Sequence, residues 1–524
     1  MPYQEEEEEQ EEIDFGTHAA KRGIVFVAGQ ITVALVTLMM LIILARLLQP
    51  AEFGIYSIAI AFNGIITIAS NFGMGTAFRK MLPEMGKAAK GSANALLSSG
   101  YFVAISIGTV IAVVSLLFSS YIATAYYHNP YLALPLQLAS ISELLTVLFA
   151  LTQGALVGLG RVKEAAVSNA SYAIINFISS VTLVLLGYGV SGAIGGLLIG
   201  LSFGAVAGIS IMVVKEKFRW IAPKRQLVGK LTSFTAPVVA SYVATQGAQN
   251  FVVMMLGVYT AASIVGNFGA AYKSARFVEL TITSITFVLL GTYSAALARK
   301  ETAKEIGRIY NSSVRYSALL LFPIIAYLVS VVQPLSSLLF SSQYSELPFF
   351  FSVMAIGMGI GIIGIYAGTL IIGHGDTKKY MRYQLLAVAV QILILYLLVP
   401  YYGAYGALVA VYAITPMMLN IMYMKLLKKQ FGFKQELGKL SRIALASVIV
   451  GALMFTLTYS MSYSRWAILV DAVVILLAFP PIAAAINAIG KEDLKFMERT
   501  ASRLGLLGSV ARRLISYFYI FIRE

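Results

Sequence analysis

The chain has 524 residues, 59% of them hydrophobic and only 12% charged, with a formal net charge of +15. Apolar runs of about 18 or more residues recur along it, which excludes a soluble globular domain and points to a polytopic membrane protein. There is no cysteine, so disulfides and thiolate metal sites are excluded, and the basic residues lie in short loops between apolar runs, which argues against nucleic acid as a partner.

Residues 1–20 carry glutamates at 5–9, 11 and 12 and are expected to form an acidic, disordered tail. The N-terminus is Glu-rich and not a basic n-region, so no cleavable signal peptide is expected. From Lys21 onward the apolar runs define fourteen spans, at 24–46, 53–78, 93–118, 133–157, 166–187, 191–214, 231–257, 264–291, 311–332, 348–372, 380–399, 404–426, 440–461 and 466–489. Short Gly-containing turns separate some pairs, so twelve spans is the alternative count.

Of the 39 Lys and Arg residues, all but Arg46, Lys273, Arg276 and Arg465 fall in alternate loops or tails. An even number of spans places both termini on one side, and the basic loops make that side the cytoplasm of a multi-pass cell-membrane protein. Arg46 and Arg465 lie near the outer ends of spans, where their side chains can reach the interface.

The chain also repeats itself. Gly154-Ala-Leu-Val-Gly-Leu-Gly-Arg-Val-Lys163 leads through one span to Gly189-Val-Ser-Gly192-Ala193. Gly368-Thr-Leu-Ile-Ile-Gly-His-Gly-Asp-Thr-Lys378 leads through another to Gly403-Ala-Tyr-Gly406-Ala407, about 214 residues later, and Phe53-Gly54 is echoed by Phe268-Gly269. Each repeat holds an even number of spans, so the two halves share one orientation and should be related by an axis along the membrane normal. The expected fold is therefore all-α, with two parallel-repeat six-helix bundles, 21–220 and 221–430, and two extra helices within 431–490. A basic amphipathic tail, 491–524, follows and suits the inner leaflet.

The residues that stand out chemically are polar groups inside spans. Span 8 holds Lys273, Arg276 and Glu279 at intervals of three, hence on one helical face. A charge at the bilayer centre costs about 3 kcal/mol or more, so these side chains must face protein or a water-filled cavity. One carboxylate cannot neutralise two cations. The surplus suits a phosphate or pyrophosphate, with Arg giving bidentate contacts and Lys a point charge; the alternative is an internal ion pair that only fixes packing. The counterpart stretch of span 2, residues 57–62, is uncharged, so the cations belong to one half only and should face whatever the halves enclose.

Gln246, Gln249 and Asn250 share a face of span 7 and could bind sugar hydroxyls or phosphate oxygens, or bond between helices. Gln30 in span 1 and Asn63 in span 2 are candidates for the opposite cavity wall. Glu143 in span 4 reads as a coupling-ion or proton site, or as a protonated structural carboxyl, and Asp471 in span 14 reads as structural. The three histidines, His18, His128 and His374, form no ligand cluster. No phosphate-binding loop is present, so neither a metal nor a nucleotide cofactor is expected.

The order of several short motifs resembles the polysaccharide transporter and oligosaccharide flippase family of the multidrug/oligosaccharidyl-lipid/polysaccharide flippase superfamily. They are Leu44-Ala-Arg-Leu-Leu-Gln-Pro-Ala-Glu-Phe-Gly-Ile-Tyr56, Asn71-Phe-Gly-Met-Gly-Thr-Ala77, Gly158-Leu-Gly-Arg161, Gly375-Asp-Thr-Lys378 and Val399-Pro-Tyr-Tyr-Gly-Ala-Tyr-Gly-Ala407. The likeness covers most of 20–430. It implies a V-shaped pair of bundles working by alternating access, and a polyprenyl-(pyro)phosphate-linked oligosaccharide flipped from the inner to the outer leaflet. Cationic residues in spans 1, 2 and 8 of the lipid II flippase line its cavity; only Lys273 and Arg276 in span 8 carry over here, which favours a lipid-linked glycan other than lipid II.

The implied partners are that glycan, membrane lipids and, where transport is coupled, a cation; the chain is expected to act as a monomer and not as an enzyme. Cation-coupled export of small amphipathic compounds is the alternative. A membrane glycosyltransferase or polymerase is a weaker one, because the outer loops at 119–132 and 333–347 are short and hold few carboxylates, Glu346 among them.

Overall fold

The computed structural model describes the backbone of residues 2–71, 73–85, 90–242, 246–491, 493–495, 498, 516 and 519. Side chains are described from Thr32 onward, except those of 71, 90, 236–238, 240–242, 284, 287 and 288. Every regular element among these residues is helical. The medium dictates this: hydrocarbon offers no partner to an amide, so each segment closes its own hydrogen bonds.

In chain order the helices are α1 (Pro2–Asn71), α2 (Met74–Glu84), α3 (Lys90–Tyr121), α4 (Ala133–Gly158), α5 (Val162–Leu183), α6 (Gly189–Glu216), α7 (Arg225–Tyr242) and α8 (Ala248–Tyr259). They continue as α9 (Ala262–Ala298), α10 (Ala303–Leu339), α11 (Leu347–Gly373), α12 (Thr377–Leu408), α13 (Thr415–Phe431), α14 (Leu437–Ser460) and α15 (Trp466–Ala485).

Nine helical runs among the described residues are long and apolar enough to cross a membrane. Three of them contain a break. α1 leaves helical geometry at Gln49 (φ 58°, ψ 175°), just before Pro50. α5 passes through a π-helical segment, Val184–Tyr188, into Gly189 (φ 51°, ψ −134°). α12 breaks at Gly403 (φ 54°, ψ −130°). Each of these runs is two spans, which raises nine to twelve, and α7–α8 and α9 occupy the seventh and eighth expected positions. Two expected spans differ in detail. The second is interrupted where α1 ends and Gly73 takes the left-handed conformation (φ 64°) ahead of α2. The seventh is split into α7 and α8, with Gln246 and Gly247 in a π turn.

The internal repeat is present in the backbone. Gly189 and Gly403, 214 residues apart, have nearly the same dihedrals. Gly160 (φ 76°) and Gly375 (φ 90°) are 215 apart and make the turns after α4 and α11. α6 ends on Lys217 and α13 on Gly432, again 215 apart and both left-handed.

The chain forms two compact units, Met1–Gly266 and Asn267–Glu524. In the first, Met74, Phe78, Leu96, Leu97, Tyr101, Val147, Leu151 and Leu156 make the main buried cluster. Small residues bring helices to near contact, as expected where apolar association gains little from leaving lipid. A Cβ on Gly54 would lie 1.8 Å from the Ala262 carbonyl oxygen, and one on Gly266 1.9 Å from that of Pro50. The α5–α6 pair closes the same way, with Gly196 against Ser180 and Gly200 against Asn176.

The second unit is pinned by buried polar side chains. Tyr310 Oη donates to the Ile363 carbonyl (3.0 Å) and Tyr366 Oη to Ser317 Oγ (2.8 Å). Asn420 accepts from the Gly364 amide (2.7 Å) and donates to the Ile360 carbonyl (2.8 Å). The buried Asp471 accepts from Thr458 Oγ1 at 2.8 Å, which ties α15 to α14. Arg315 of α10 pairs with the buried Asp493 and so holds the start of the C-terminal segment.

The two repeats also share an ionic clasp of opposite sign. After α4, Arg161 pairs with Glu164 (3.5 Å) and with Glu216 at the end of α6, while Lys215 reaches Glu164 (2.9 Å). After α11, Asp376 pairs with Lys379 (2.8 Å) and accepts from Gln430 near the end of α13. Lys379 and Gln430 hold the Asp376 carboxyl below the usual carboxylate range.

Two predictions follow from this packing. Gly54→Val and Gly266→Val each drive a side chain into a backbone carbonyl, so little folded protein should be recovered, whereas Gly229→Ala, with open space around it, should behave as wild type; size-exclusion chromatography of fluorescent fusions reads the difference. Because the Asp376 value is depressed in the folded state, its contribution is present above the unfolded value and is lost as pH falls through the folded one. Thermal stability should therefore decline below about pH 4, and Asp376→Asn should remove that component of the profile.

Candidate functional site

In the first unit a polar seam runs between α1 and α4. Asn63, Thr67 and Ser70 follow one another at helical spacing on the part of α1 after its break. Asn63 Nδ2 donates to the Ala139 carbonyl and to Ser142 Oγ, both at 3.0 Å. Next to Ser142 is Glu143, which is 0% exposed. Neither of its carboxyl oxygens has a hydrogen-bond partner among the described residues. Ser70 stands nearby but directs its proton to the Ile66 carbonyl (2.6 Å). Ser70 and Glu143 meet over Gly108 of α3: a Cβ there would lie 3.7 Å from Glu143 Oε1 and 3.9 Å from Ser70 Cβ.

One turn before Ser70, Thr67 opens onto a cavity of about 210 Å³. Thr67, Thr76, Arg79 and Gln153 provide its polar lining, and Ile68, Gly73, Gly75, Ala150 and Val239 its apolar walls. Thr67 Oγ1 is buried and unpartnered. Gln153 is held in place by donating to Ser168 Oγ (3.1 Å). The cavity lies at the junction of α1 and α2, which agrees with the rule that irregular backbone at membrane depth must be buried in protein or line a cavity.

In the second unit, α9 turns Ala271, Ala275, Val278 and Ile282 into the protein and leaves Arg276, Phe277, Glu279 and Leu280 exposed on the surface of that unit. Lys273 is half-buried. Arg276 Nε lies 3.8 Å from Glu279 Oε2, with both side chains at least half exposed. That is a loose pair between Arg276 and Glu279.

The remaining candidates separate. Gln246 is exposed, while Gln249 and Asn250 are half-buried. Asn250 packs on Gly64 of α1, where a Cβ would lie 2.4 Å from its Nδ2. The π turn at Gln246 and Gly247 breaks the single helical face that spacing alone assigns to the three amides. Asn63 is 8% exposed and bonded to α4. The side chain of Gln30 and those of the acidic tail lie outside the described residues.

Thr67, Ser70, Thr76, Arg79 and Gln153 were not singled out by the sequence. Their one signal was the spacing of Asn63, Thr67 and Ser70 just ahead of the helix-breaking Gly73, which marks a polar face leading into an interruption.

The family described as polysaccharide biosynthesis protein matches residues 43–348. Among curated proteins none matches. Among solved structures, a lipid II flippase MurJ in an inward closed conformation superposes with a TM-score of 0.73 at 16% identity, covering 88% of this chain and 98% of its own. An inward-facing multidrug resistance MATE family transporter of the MOP superfamily gives 0.64 at 15% identity, covering 78% and 98%. A MOP superfamily transporter from Pyrococcus furiosus, described as having a binding pocket of reverse polarity, gives 0.54 at 16% identity, covering 78% and 94%. At such identities the superpositions establish the fold alone, whereas the family match covers more than half of the sequence. This chain belongs to the polysaccharide biosynthesis protein family and has the helical fold of MOP superfamily transporters.

Proposed function

We propose that this protein is a flippase. In this reading it carries a polyprenyl-(pyro)phosphate-linked oligosaccharide from the inner to the outer leaflet by alternating access, with both termini in the cytoplasm, and serves polysaccharide or glycoprotein biosynthesis. The observation that supports this most is the presence of two cations, Lys273 and Arg276, within the long and largely apolar helix α9, where Arg276 Nε lies 3.8 Å from Glu279 Oε2 in a loose, exposed pair. A phosphate or pyrophosphate supplies the complementary charge, and its three or more acceptor oxygens can take the guanidinium fork and the ammonium together. The lipid tail stays in hydrocarbon while the glycan occupies water. The chemistry is one of binding and release, and no bond in the substrate changes.

A second reading, cation-coupled export of small amphipathic compounds, draws support from the likeness to MATE transporters. The positive charge on α9 disfavours cationic compounds as cargo.

Lys273→Ala with Arg276→Ala should lower the rate at which a fluorescent polyprenyl-pyrophosphate oligosaccharide crosses reconstituted vesicles. Loss of two charge-assisted contacts corresponds to a fall of about a hundredfold. Lys273→Arg should retain most of the rate, and elution and helical content of the purified variants should be unchanged. A double variant that flips at the wild-type rate removes the role given to these cations.

A further inference from the structure

At the start of α11 the second unit carries a group of aromatic rings that is open on one side. Phe349 is 50% exposed and Tyr405, two residues past the α12 break at Gly403, is 51% exposed. Their ring centroids are 5.6 Å apart. Phe350 is buried beneath both, edge-on to each, at 6.3 Å from Phe349 and 6.0 Å from Tyr405. Tyr405 Oη donates to Glu346 Oε2 at 3.0 Å, and the backbone at Glu346 is fixed in turn, because the Glu346 and Leu347 amides donate to Asn267 Oδ1 at 3.1 and 3.0 Å. Two rings and a carboxylate are thus held in place by contacts beneath and beside them, while their outer faces stay uncovered. Tyr401 and Tyr402 of the same break are 84% and 64% exposed and extend the rim.

The placement and the chemistry narrow what this surface receives. α11 has 27 residues, so Glu346 and the basic turn after Gly373 are about 40 Å apart, at opposite ends of the helix. Neither 341–350 nor 396–410 contains a lysine, arginine or histidine, so nothing in these stretches attracts a phosphate. An interfacial aromatic belt needs rings and hydroxyls but no carboxylate, and a carboxylate beside phospholipid head groups is repelled by their phosphates. A pyranose has what the surface lacks: C–H bonds that carry partial positive charge and lie flat on the negative face of a ring, and hydroxyl donors for an acceptor-only carboxylate. With one Tyr405 bond made, Glu346 keeps acceptor sites for such hydroxyls. The first unit has a similar set at its own matching break, where Tyr188 is 64% exposed and a Cβ on Gly189 would lie 3.6 Å from Glu52 Oε2.

We propose that Phe349, Tyr405 and Glu346 form a carbohydrate-binding platform at the end of the second unit opposite its basic turns, which receives the sugar rings of the cargo by stacking and by hydroxyl-to-carboxylate hydrogen bonds. This rests on the flippase reading for the source of the sugar; binding itself can be measured without flipping.

Saturation-transfer NMR on the full-length protein in nanodiscs tests the platform, with lipid-free disaccharides of glucose, galactose, N-acetylglucosamine and rhamnose as probes. Pyranose C–H protons of at least one probe should receive saturation from the aromatic region. Phe349→Ala with Tyr405→Ala should reduce the transfer by about tenfold, and Glu346→Gln should weaken binding by about the same factor. Phe349→Ala alone, at a half-exposed position, covers the case in which the double variant fails to fold and should still reduce the transfer severalfold. A second arm compares flipping of a fluorescent polyprenyl-pyrophosphate oligosaccharide with that of the bare polyprenyl pyrophosphate. The ratio of the two rates should fall about fivefold or more in the double variant. No transfer to any probe in the wild type, or equal transfer in wild type and folded variants, overturns the proposal; so does a fall in both flipping rates by one factor, as loss of a mere interfacial anchor would give. Wild-type protein that shows the transfer but moves neither lipid overturns the flippase reading instead and leaves the platform standing.

Discussion

Everything in this fold answers to one constraint: in hydrocarbon a backbone amide or carbonyl must find its partner within the protein. The chain meets it with helices, and it departs from helical geometry at membrane depth only under specific conditions. The departure between α1 and α2 borders a cavity lined by polar side chains. Those at Gly189 and Gly403 are turns between successive spans, where a backbone conformation open to glycine is required. The same constraint favours buried polar side chains that bond across helices, as Asn420, Tyr310, Tyr366 and Asn63 do.

Close approach replaces hydrophobic burial as the means of holding helices together. Lipid tails are as apolar as the side chains they would surrender, so association is driven by van der Waals contact, and that depends on removing Cβ atoms at crossings. Gly54 and Gly266 each present backbone to backbone, and Gly196 and Gly200 do so between the arms of the α5–α6 hairpin.

Much of this was legible from the sequence, and the reasons are physical. Span positions follow from apolar length, and the repeat follows from glycines at matching places, because a positive φ leaves a mark in composition. The cations of α9 were visible because charge inside an apolar run is costly. What could not be read was orientation around each helix axis where spacing is not strictly periodic. Gln246, Gln249 and Asn250 looked like one face, yet the π turn at Gly247 sends Asn250 onto Gly64 and leaves Gln246 exposed. Nor could the polar cavity be read, since Thr76, Arg79 and Gln153 come together only once α1 has broken at Gly73 and α4 has packed beside it.

The clasps at the ends of the two repeats bear on how the chain assembles. Because the halves share a backbone plan, the last turn of α6 has the right shape to dock on the turn after α11, a mistake open to any chain that contains the same architecture twice. That pairing would set Glu216 against Asp376 and Lys215 against Lys379. The inverted signs thus repel the end of α6 from the second half's cradle while its own cradle attracts it.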